Sequence, residues 1–339
     1  MPSLQDSPRI ALVMGDPCGI SPELMAKLLA LPETTARAAI LVIGDRRVLA
    51  EGEAVAQAKL DLAVVEKVDD ARPALGKATF LDQRNLDPSD VKRGEASASG
   101  GAFALANFKF GLQLARRGVV DCLCFTPFNK RALHLAGNPF EDELQLAAHE
   151  LGHKGAYGEF NVLETIWNAR VTSHVPLAKV SSLLSVEGIL RALTLTNDSL
   201  RAAGVASPRI AVAALNPHAG DGGNFGREEI DIIEPAVQAA KVRQIRADGP
   251  FPSDTVFLRA RNGAYDAVLT MFHDQGQIAI KLMGFDRGVT VLGGLPVPIC
   301  TPAHGTAYDI AGKGTANVEA TRRAFQLACK MGESRAPAH

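Results

Sequence analysis

The sequence predicts an α/β fold of repeated strand–helix units, and three observations lead there. Short apolar runs recur at Ile10 to Met14, Ala39 to Ile43, Val119 to Phe125, Ile210 to Leu215 and Ala267 to Met271. The segments Pro22 to Ala30, Ala102 to Arg116, Val186 to Ala203 and Glu228 to Ala240 carry apolar residues at helical spacing. Apolar runs of roughly four to eight residues that alternate with amphipathic helices are the pattern of buried parallel strands with helices packed on them. Finally, 339 residues at 47% hydrophobic content exceed one ordinary domain and can fill two cores, so two lobes are expected.

Charge narrows the class. Lys and Arg number 36 against 37 Asp and Glu, a net charge of -1, and no basic stripe or aromatic-basic interleaving occurs, which argues against nucleic-acid binding. Met1 to Arg9 lacks the basic and apolar regions of a signal peptide, and no apolar run reaches the roughly 18 to 20 residues of a membrane span; a cytoplasmic protein is expected. The five cysteines are an odd set without a CxxC pair, which gives neither a disulfide framework nor a zinc knuckle. Cys122 and Cys124 are expected to be strand residues on one face, in a reducing compartment.

Two glycine-containing segments carry the first functional signals. After the first strand, Gly15-Asp16-Pro17-Cys18-Gly19-Ile20-Ser21-Pro22-Glu23 reads as a strand-to-helix turn. Ser21 is expected as N-cap, Pro22 as the first helical residue and Glu23 as a complement to the helix dipole. Such turns lie at the carboxyl ends of strands, where open α/β sheets bind ligands. Near the C-terminus, the run from His304 to Asn317 sets small residues around Asp309. Gly305 and Gly312 allow close backbone approach to a flat ligand. The Asp309 carboxylate can accept a ribose diol and would repel a 2'-phosphate, which favours NAD over NADP.

Three histidines stand in turn-rich contexts: His174 in Thr172 to Leu177, His218 in Asn216 to Gly220, and His273 in Phe272 to Gly276. Imidazoles at strand ends can converge on one divalent ion and leave sites open for substrate. His134, His149 and His153 fall on helices or their loops and read as solvated or structural, and His339 belongs to the tail.

The C-terminal loop resembles the HGSAPDIAGKG adenosine loop of isopropylmalate dehydrogenases. The whole chain is similar to the 4-hydroxythreonine-4-phosphate dehydrogenase family through the Gly15 to Glu23 opening, Thr172 to Leu177, Asn216 to Gly223, Gly249 to Thr255, His273 to Gly276 and the C-terminal loop. Ser21 stands where that family usually has glycine. The resemblance implies two α/β/α domains with a cleft between them, as in isocitrate and isopropylmalate dehydrogenases. By that analogy a discontinuous nucleotide domain covers residues 1–125 and 285–339, and a metal, substrate and dimerisation domain covers 126–284. A homodimer with its active site at the subunit interface is implied. The implied reaction is NAD-dependent oxidation of a secondary alcohol, followed by loss of carbon dioxide. His174, His218 and His273 correspond to the metal ligands, from both subunits, for zinc, cobalt, nickel, manganese or magnesium. Asp254 and Asp274 correspond to active-site carboxylates and Lys281 to a substrate-binding lysine. His304, Gly305, Asp309, Gly312 and Asn317 correspond to the dinucleotide loop.

The substrate pocket departs from the family pattern. A Gly-His-Thr-Glu motif falls on Asp142-Glu143-Leu144-Gln145, an asparagine falls on Thr290, and an arginine falls on Ile299. Glu143, Leu144, Thr290 and Ile299 are therefore expected to line a pocket with altered phosphate recognition, with Arg131, Arg170 and Arg287 as arginines that could supply a relocated anion site. A phosphorylated or otherwise acidic 3-hydroxy acid as substrate is the first expectation. A dihydrodiol dehydrogenase for an aromatic carboxylic acid is the alternative, and a catalytically silent metabolite-binding protein is the alternative of another class.

Overall fold

A computed structural model describes residues 7–334. The chain opens with β1 (Arg9–Val13), α1 (Ser21–Ala30), α2 (Pro32–Arg37), β2 (Ala39–Gly44) and α3 (Arg46–Ala56). There follow β3 (Ala63–Val65), β4 (Thr79–Asp82), α4 (Ala98–Arg116), β5 (Cys122–Phe125), α5 (Lys130–Leu135) and α6 (Glu143–Glu150). A second run holds β6 (Gly158–Leu163), β7 (Ile166–Arg170), α7 (Val180–Leu183), α8 (Val186–Ala202), β8 (Arg209–Ala213) and α9 (Glu234–Val242). It continues through β9 (Arg246–Phe251), α10 (Ser253–Arg261), β10 (Ala267–Thr270), α11 (His273–Gly284) and β11 (Val289–Gly293). The chain ends with β12 (Ile299–Pro302) and α12 (Glu319–Glu333).

Two compact units result, dividing between Lys154 and Gly155 and again between Gly294 and Leu295. These boundaries differ from the crossings near 125 and 285 that the family analogy implies. Residues 126–154 fall in the first unit because α5 and α6 pack on α4.

In the first unit the strand order is β3-β4-β2-β1-β5-β12, and every pairing is parallel. Its centre reads as continuous apolar sequence because both faces are covered. Ile10, Leu12, Phe80, Phe103, Phe108 and Phe325 are all fully buried. Ser97 caps α4 by accepting the Gly100 N–H, and Gly118 ends it in a left-handed turn with φ 71°. Val119 N–H donates back to Leu114 at 2.9 Å in that turn, so the strand expected from Val119 begins only at Cys122. Cys122 and Cys124 do share one strand and are buried, with Cys300 of β12 in register beside Cys124. Burial pushes all three thiols, and that of Cys329, far up, which leaves them protonated and unreactive.

In the second unit the order is β11-β6-β7-β10-β8-β9. The β7, β10, β8 and β9 strands are parallel, while β6 runs antiparallel to both β7 and β11. Val256, Phe257, Val268, Ile280 and Ile166 form a core beneath α10 and α11. Leu215, expected in a strand, lies beyond β8 because its N–H turns to the Glu229 carboxylate at 2.8 Å. Among the described residues no helix is long and apolar enough to cross a membrane.

Candidate active site

In the first unit the turn after β1 and the loop after β12 lie against each other. A Cβ on Gly19 would stand 2.6 Å from the Thr306 carbonyl oxygen, so only glycine permits the approach. Ile20 N–H donates to that oxygen at 3.0 Å. The helix starts one residue earlier than expected: Ile20 occupies the N-cap position without a side-chain bond, and Ser21 lies inside α1. The Ser21 hydroxyl does not cap. It donates to the Pro127 carbonyl at 2.8 Å, tying α1 to the segment after β5.

Asp16 is 1% exposed. Its Oδ1 accepts the Cys18 N–H at 2.8 Å and its Oδ2 accepts the Tyr308 phenol at 2.6 Å. Burial pushes the Asp16 carboxyl above the ordinary carboxylate range, with these donors pulling the other way. Burial, then Asp16, holds the Tyr308 hydroxyl protonated, so Tyr308 is the donor. At the loop's far end Glu23 Oε1 accepts both the Lys27 ammonium at 2.7 Å and the Ala316 N–H at 2.8 Å. Lys27 also donates to the carbonyls of Gly314 and Ala316 at 2.9 and 2.8 Å. Glu23 therefore does more than complement the helix dipole.

Between these anchors Asp309 is exposed on the short turn Tyr308–Ile310. Burial lowers the His304 pKa, and its Nδ1 lies 3.0 Å from the Gly305 carbonyl; the ring is neutral at neutral pH with its proton on Nδ1. A Cβ on Gly305 would meet nothing within 4 Å. Gly312, at φ 76°, lies beside the Arg93 side chain. Asn317 accepts the Glu319 N–H at 2.9 Å, at the start of α12.

Glu143 opens α6 behind its cap Asp142, and Leu144 is buried in that helix. Ile299 is 0% exposed in β12, opposite Leu123 of β5. It is a core residue with no surface left for a ligand, whatever its place in a motif.

In the second unit β7, β10 and β8 are neighbours, and each delivers one of the three histidines beyond its carboxyl end. Arg170 of β7 is in register with Thr270 of β10. Thr172 continues that alignment, its N–H and hydroxyl both reaching the Met271 carbonyl at 3.1 and 2.8 Å. The His174 and His273 rings consequently emerge side by side, centroids 5.9 Å apart. They line a cavity of about 270 Å³ together with Ser173, Leu177, Phe272 and Asp274. His273 Nδ1 lies 2.7 Å from Asp274 Oδ1, an arrangement that orients the ring and leaves Nε2 for a ligand. Gln275 braces the turn, accepting the Met271 N–H at 2.7 Å and donating to the Ala214 carbonyl at 2.7 Å.

His218 sits on a different kind of backbone. From His218 to Gly223 every φ is positive, including the non-glycine residues His218, Ala219 and Asp221. The buried Glu229 secures this left-handed turn by accepting the N–H groups of Leu215 and Asn216 and the Asn216 amide at 2.8, 2.7 and 2.9 Å. The His218 ring lies near Phe225, centroids 6.2 Å apart. Among the described residues no group of three or more His, Cys, Asp or Glu is close enough to hold a metal ion. Within one chain, then, two histidines with a carboxylate behind one of them form a partial donor set, chemically suited to a divalent transition metal.

Asp254 is exposed in the first turn of α10, and Lys281 is exposed in the last turn of α11. Thr290 of β11 accepts from Asn161 at 3.4 Å. Arg170 cannot serve as a free anion receptor: its side chain is 4% exposed and donates to Glu159, Asn161 and Ser173. Arg287 is paired with Glu164. Arg131 is exposed on α5 and makes no ion pair among the described residues. Asp16, Tyr308, Lys27 and Glu229 organise these loops without being evident as organisers from sequence; the first three lie in or beside the motifs, while Glu229 carries no local signal.

These features define an α/β enzyme with polar residues gathered at the carboxyl ends of parallel strands. The chain belongs to the family described as pyridoxal phosphate biosynthetic protein PdxA, whose family model matches residues 36–328. It is an oxidoreductase. A protein of Rhizobium meliloti (strain 1021), provisionally named 4-hydroxythreonine-4-phosphate dehydrogenase 2, is 57% identical over 330 residues, covering 97% of this chain and 94% of its own. The D-threonate 4-phosphate dehydrogenase of Pectobacterium atrosepticum is 37% identical over 326 residues, with 95% and 98% covered. Among solved structures, 4-hydroxythreonine-4-phosphate dehydrogenase from Klebsiella pneumoniae superposes with a TM-score of 0.85 at 35% identity, with 96% and 98% covered.

Proposed function

We propose that this chain is an NAD-dependent, divalent-metal-dependent dehydrogenase of a phosphorylated hydroxy acid that oxidises a secondary alcohol and then releases carbon dioxide. The observation that carries the reading is the juxtaposition of His174 and His273 over one cavity, with Asp274 behind His273. The names of the relatives, which act on 4-phosphohydroxythreonine and D-threonate 4-phosphate, support the substrate class. The enzyme works as a homodimer, in which His174 and His273 hold the ion and His218 completes the set across the subunits.

When bound, the ion supplies Lewis-acid polarisation of the substrate alcohol, and NAD supplies the hydride acceptor. Asp274 fixes His273 with its proton on Nδ1, so that Nε2 is the donor atom. Asp254, exposed at the start of α10, accepts the alcohol proton. The Lys281 ammonium pairs with a substrate anion. Asp309 receives the ribose diol of the dinucleotide, held by the loop from His304 to Asn317.

Initial rates of NADH formation with D-threonate 4-phosphate and with 4-phosphohydroxythreonine test this reading. Carbon dioxide release is followed in parallel, before and after chelator dialysis and after manganese or zinc is restored. Turnover that survives complete metal removal, or no NADH from either compound with metal present, overturns it.

A further inference from the structure

The dinucleotide loop holds a strained backbone that something must keep in place. Ala307 adopts φ 42° and ψ 59°, a left-handed conformation that costs a residue with a Cβ roughly 1 to 2 kcal/mol, and it directly precedes the turn carrying Asp309. Strain of this kind persists only where surrounding contacts over-determine the chain. Two sets of contacts do so. Ile20, Leu24 and Ala316 form a small apolar cluster against which Ala307, Ile310 and Val318 pack. The Tyr308 phenol then reaches across to Asp16 Oδ2 at 2.6 Å, while Asp16 Oδ1 is fixed by the Cys18 N–H at 2.8 Å. The apolar cluster is nondirectional. Within the turn the Ile310 N–H donates to the Ala307 carbonyl at 3.1 Å, and the phenol–carboxylate bond is the side-chain hydrogen bond that ties this turn to the buried Asp16 after β1.

We propose that Tyr308, through its hydrogen bond to Asp16, is a positioning residue that holds the Asp309 turn in its dinucleotide-receiving shape before the dinucleotide arrives. The proposal rests on the reading of this loop as the NAD site. Tyr308 touches no reacting atom in this role; it acts on affinity by sparing the bound state the ordering of residues 307–310. At the opposite end the Lys27 and Glu23 bonds to Gly314 and Ala316 fix the loop independently of Tyr308.

The test uses full-length Tyr308→Phe, which removes one hydroxyl and keeps the ring, with Asp16→Asn and the double variant beside it. Calorimetric NAD titration of Tyr308→Phe should show a Kd about five- to twentyfold higher than wild type, with kcat at saturating NAD within about twofold. Amide exchange at residues 307–310 should speed up in the absence of NAD, while exchange in β1 and β5 stays unchanged. The double variant should bind NAD no more than about twofold worse than the weaker single variant, because both remove the same bond. Unchanged loop exchange in Tyr308→Phe overturns the proposal, as does an unchanged Kd, and neither readout depends on Asp16→Asn folding. Wild-type protein that binds no NAD overturns the dinucleotide reading of the loop and this role of Tyr308 with it. Wild-type binding with an unaffected Tyr308→Phe overturns the positioning role alone.

Discussion

Arg170 and Thr270 face each other in register across the parallel pair β7 and β10, and this register brings His174 and His273 out at the same sheet edge. Parallel strands deliver their carboxyl ends together, so residues a hundred positions apart become neighbours without any local sequence signal.

Removing an imidazole there should separate chemistry from folding. His273 stands at the rim of a cavity, outside the apolar core. His273→Ala is expected to abolish turnover and lower bound manganese or zinc, with stability within about 0.5 kcal/mol of wild type. His218→Ala is expected to abolish turnover as well. Asp274→Asn should weaken metal affinity roughly 10- to 100-fold while leaving the ligand in place. Metal analysis and steady-state rates check all three, and near-wild-type activity in either histidine variant counts against the ligand assignment.

The proposed dinucleotide site makes Asp309 the source of a preference for NAD over NADP. Its carboxylate is exposed at the tip of the turn. Asp309→Ala should raise the Kd for NAD by about 10- to 100-fold, the worth of one charge-assisted bond, and narrow the discrimination against NADP because the repulsive charge leaves with the acceptor. Parallel titrations with the two dinucleotides measure both effects. Equal affinities in wild type and variant would remove Asp309 from the site.

Much of the fold was legible because buried parallel strands are written as apolar runs: β1, β2, β5, β8 and β10 all overlap segments marked by sequence, as do α1, α8 and α4, although α4 begins at Ala98, four residues before the marked Ala102. The β6–β7 hairpin was not, because its turn is built on Glu164 at φ 57° where a glycine or asparagine would have announced it. In β9, Arg246, Asp248 and Gly249 break any apolar run. At the site, motifs marked the loops, but the contacts that organise them span the chain, as Tyr308 to Asp16 and Lys27 to Gly314 do. Ile299 marks the opposite limit, since a motif position says nothing about burial and this one is wholly inside.

The turn bearing His218 stores backbone strain that substitution can release. Ala219 holds φ 55° with a Cβ, which glycine would not have. Ala219→Gly should stabilise the protein by about 1 kcal/mol in denaturant melts. Glu229→Ala should destabilise it by roughly 3 kcal/mol, since the Leu215 and Asn216 N–H groups lose their acceptor. If Ala219→Gly is destabilising, the left-handed turn is not held against its own preference.

A phosphorylated substrate needs a cation to meet its phosphate. Of the three arginines that sequence offered, Arg170 is committed to Glu159, Asn161 and Ser173, and Arg287 to Glu164. Arg131 remains, exposed on α5 and capable of bidentate contact with a phosphate. Arg131→Ala should therefore lower kcat/KM for D-threonate 4-phosphate by about 10- to 100-fold, the loss expected for charge-assisted bonds worth about 1.5 to 3 kcal/mol. With the dephosphorylated acid the same variant should change kcat/KM by less than about threefold, because no phosphate is there to lose. Glu143 lies at the start of α6, and the resemblance read from the sequence sets its negative charge where the family motif has a histidine. On that ground 4-phosphohydroxythreonine should be a poor substrate for the wild-type enzyme, with kcat/KM below about 10⁴ M⁻¹s⁻¹. Steady-state kinetics on the three compounds decide the matter. Equal losses with and without the phosphate would remove Arg131 from phosphate recognition, and efficient turnover of 4-phosphohydroxythreonine would mean that Glu143 does not face the bound substrate.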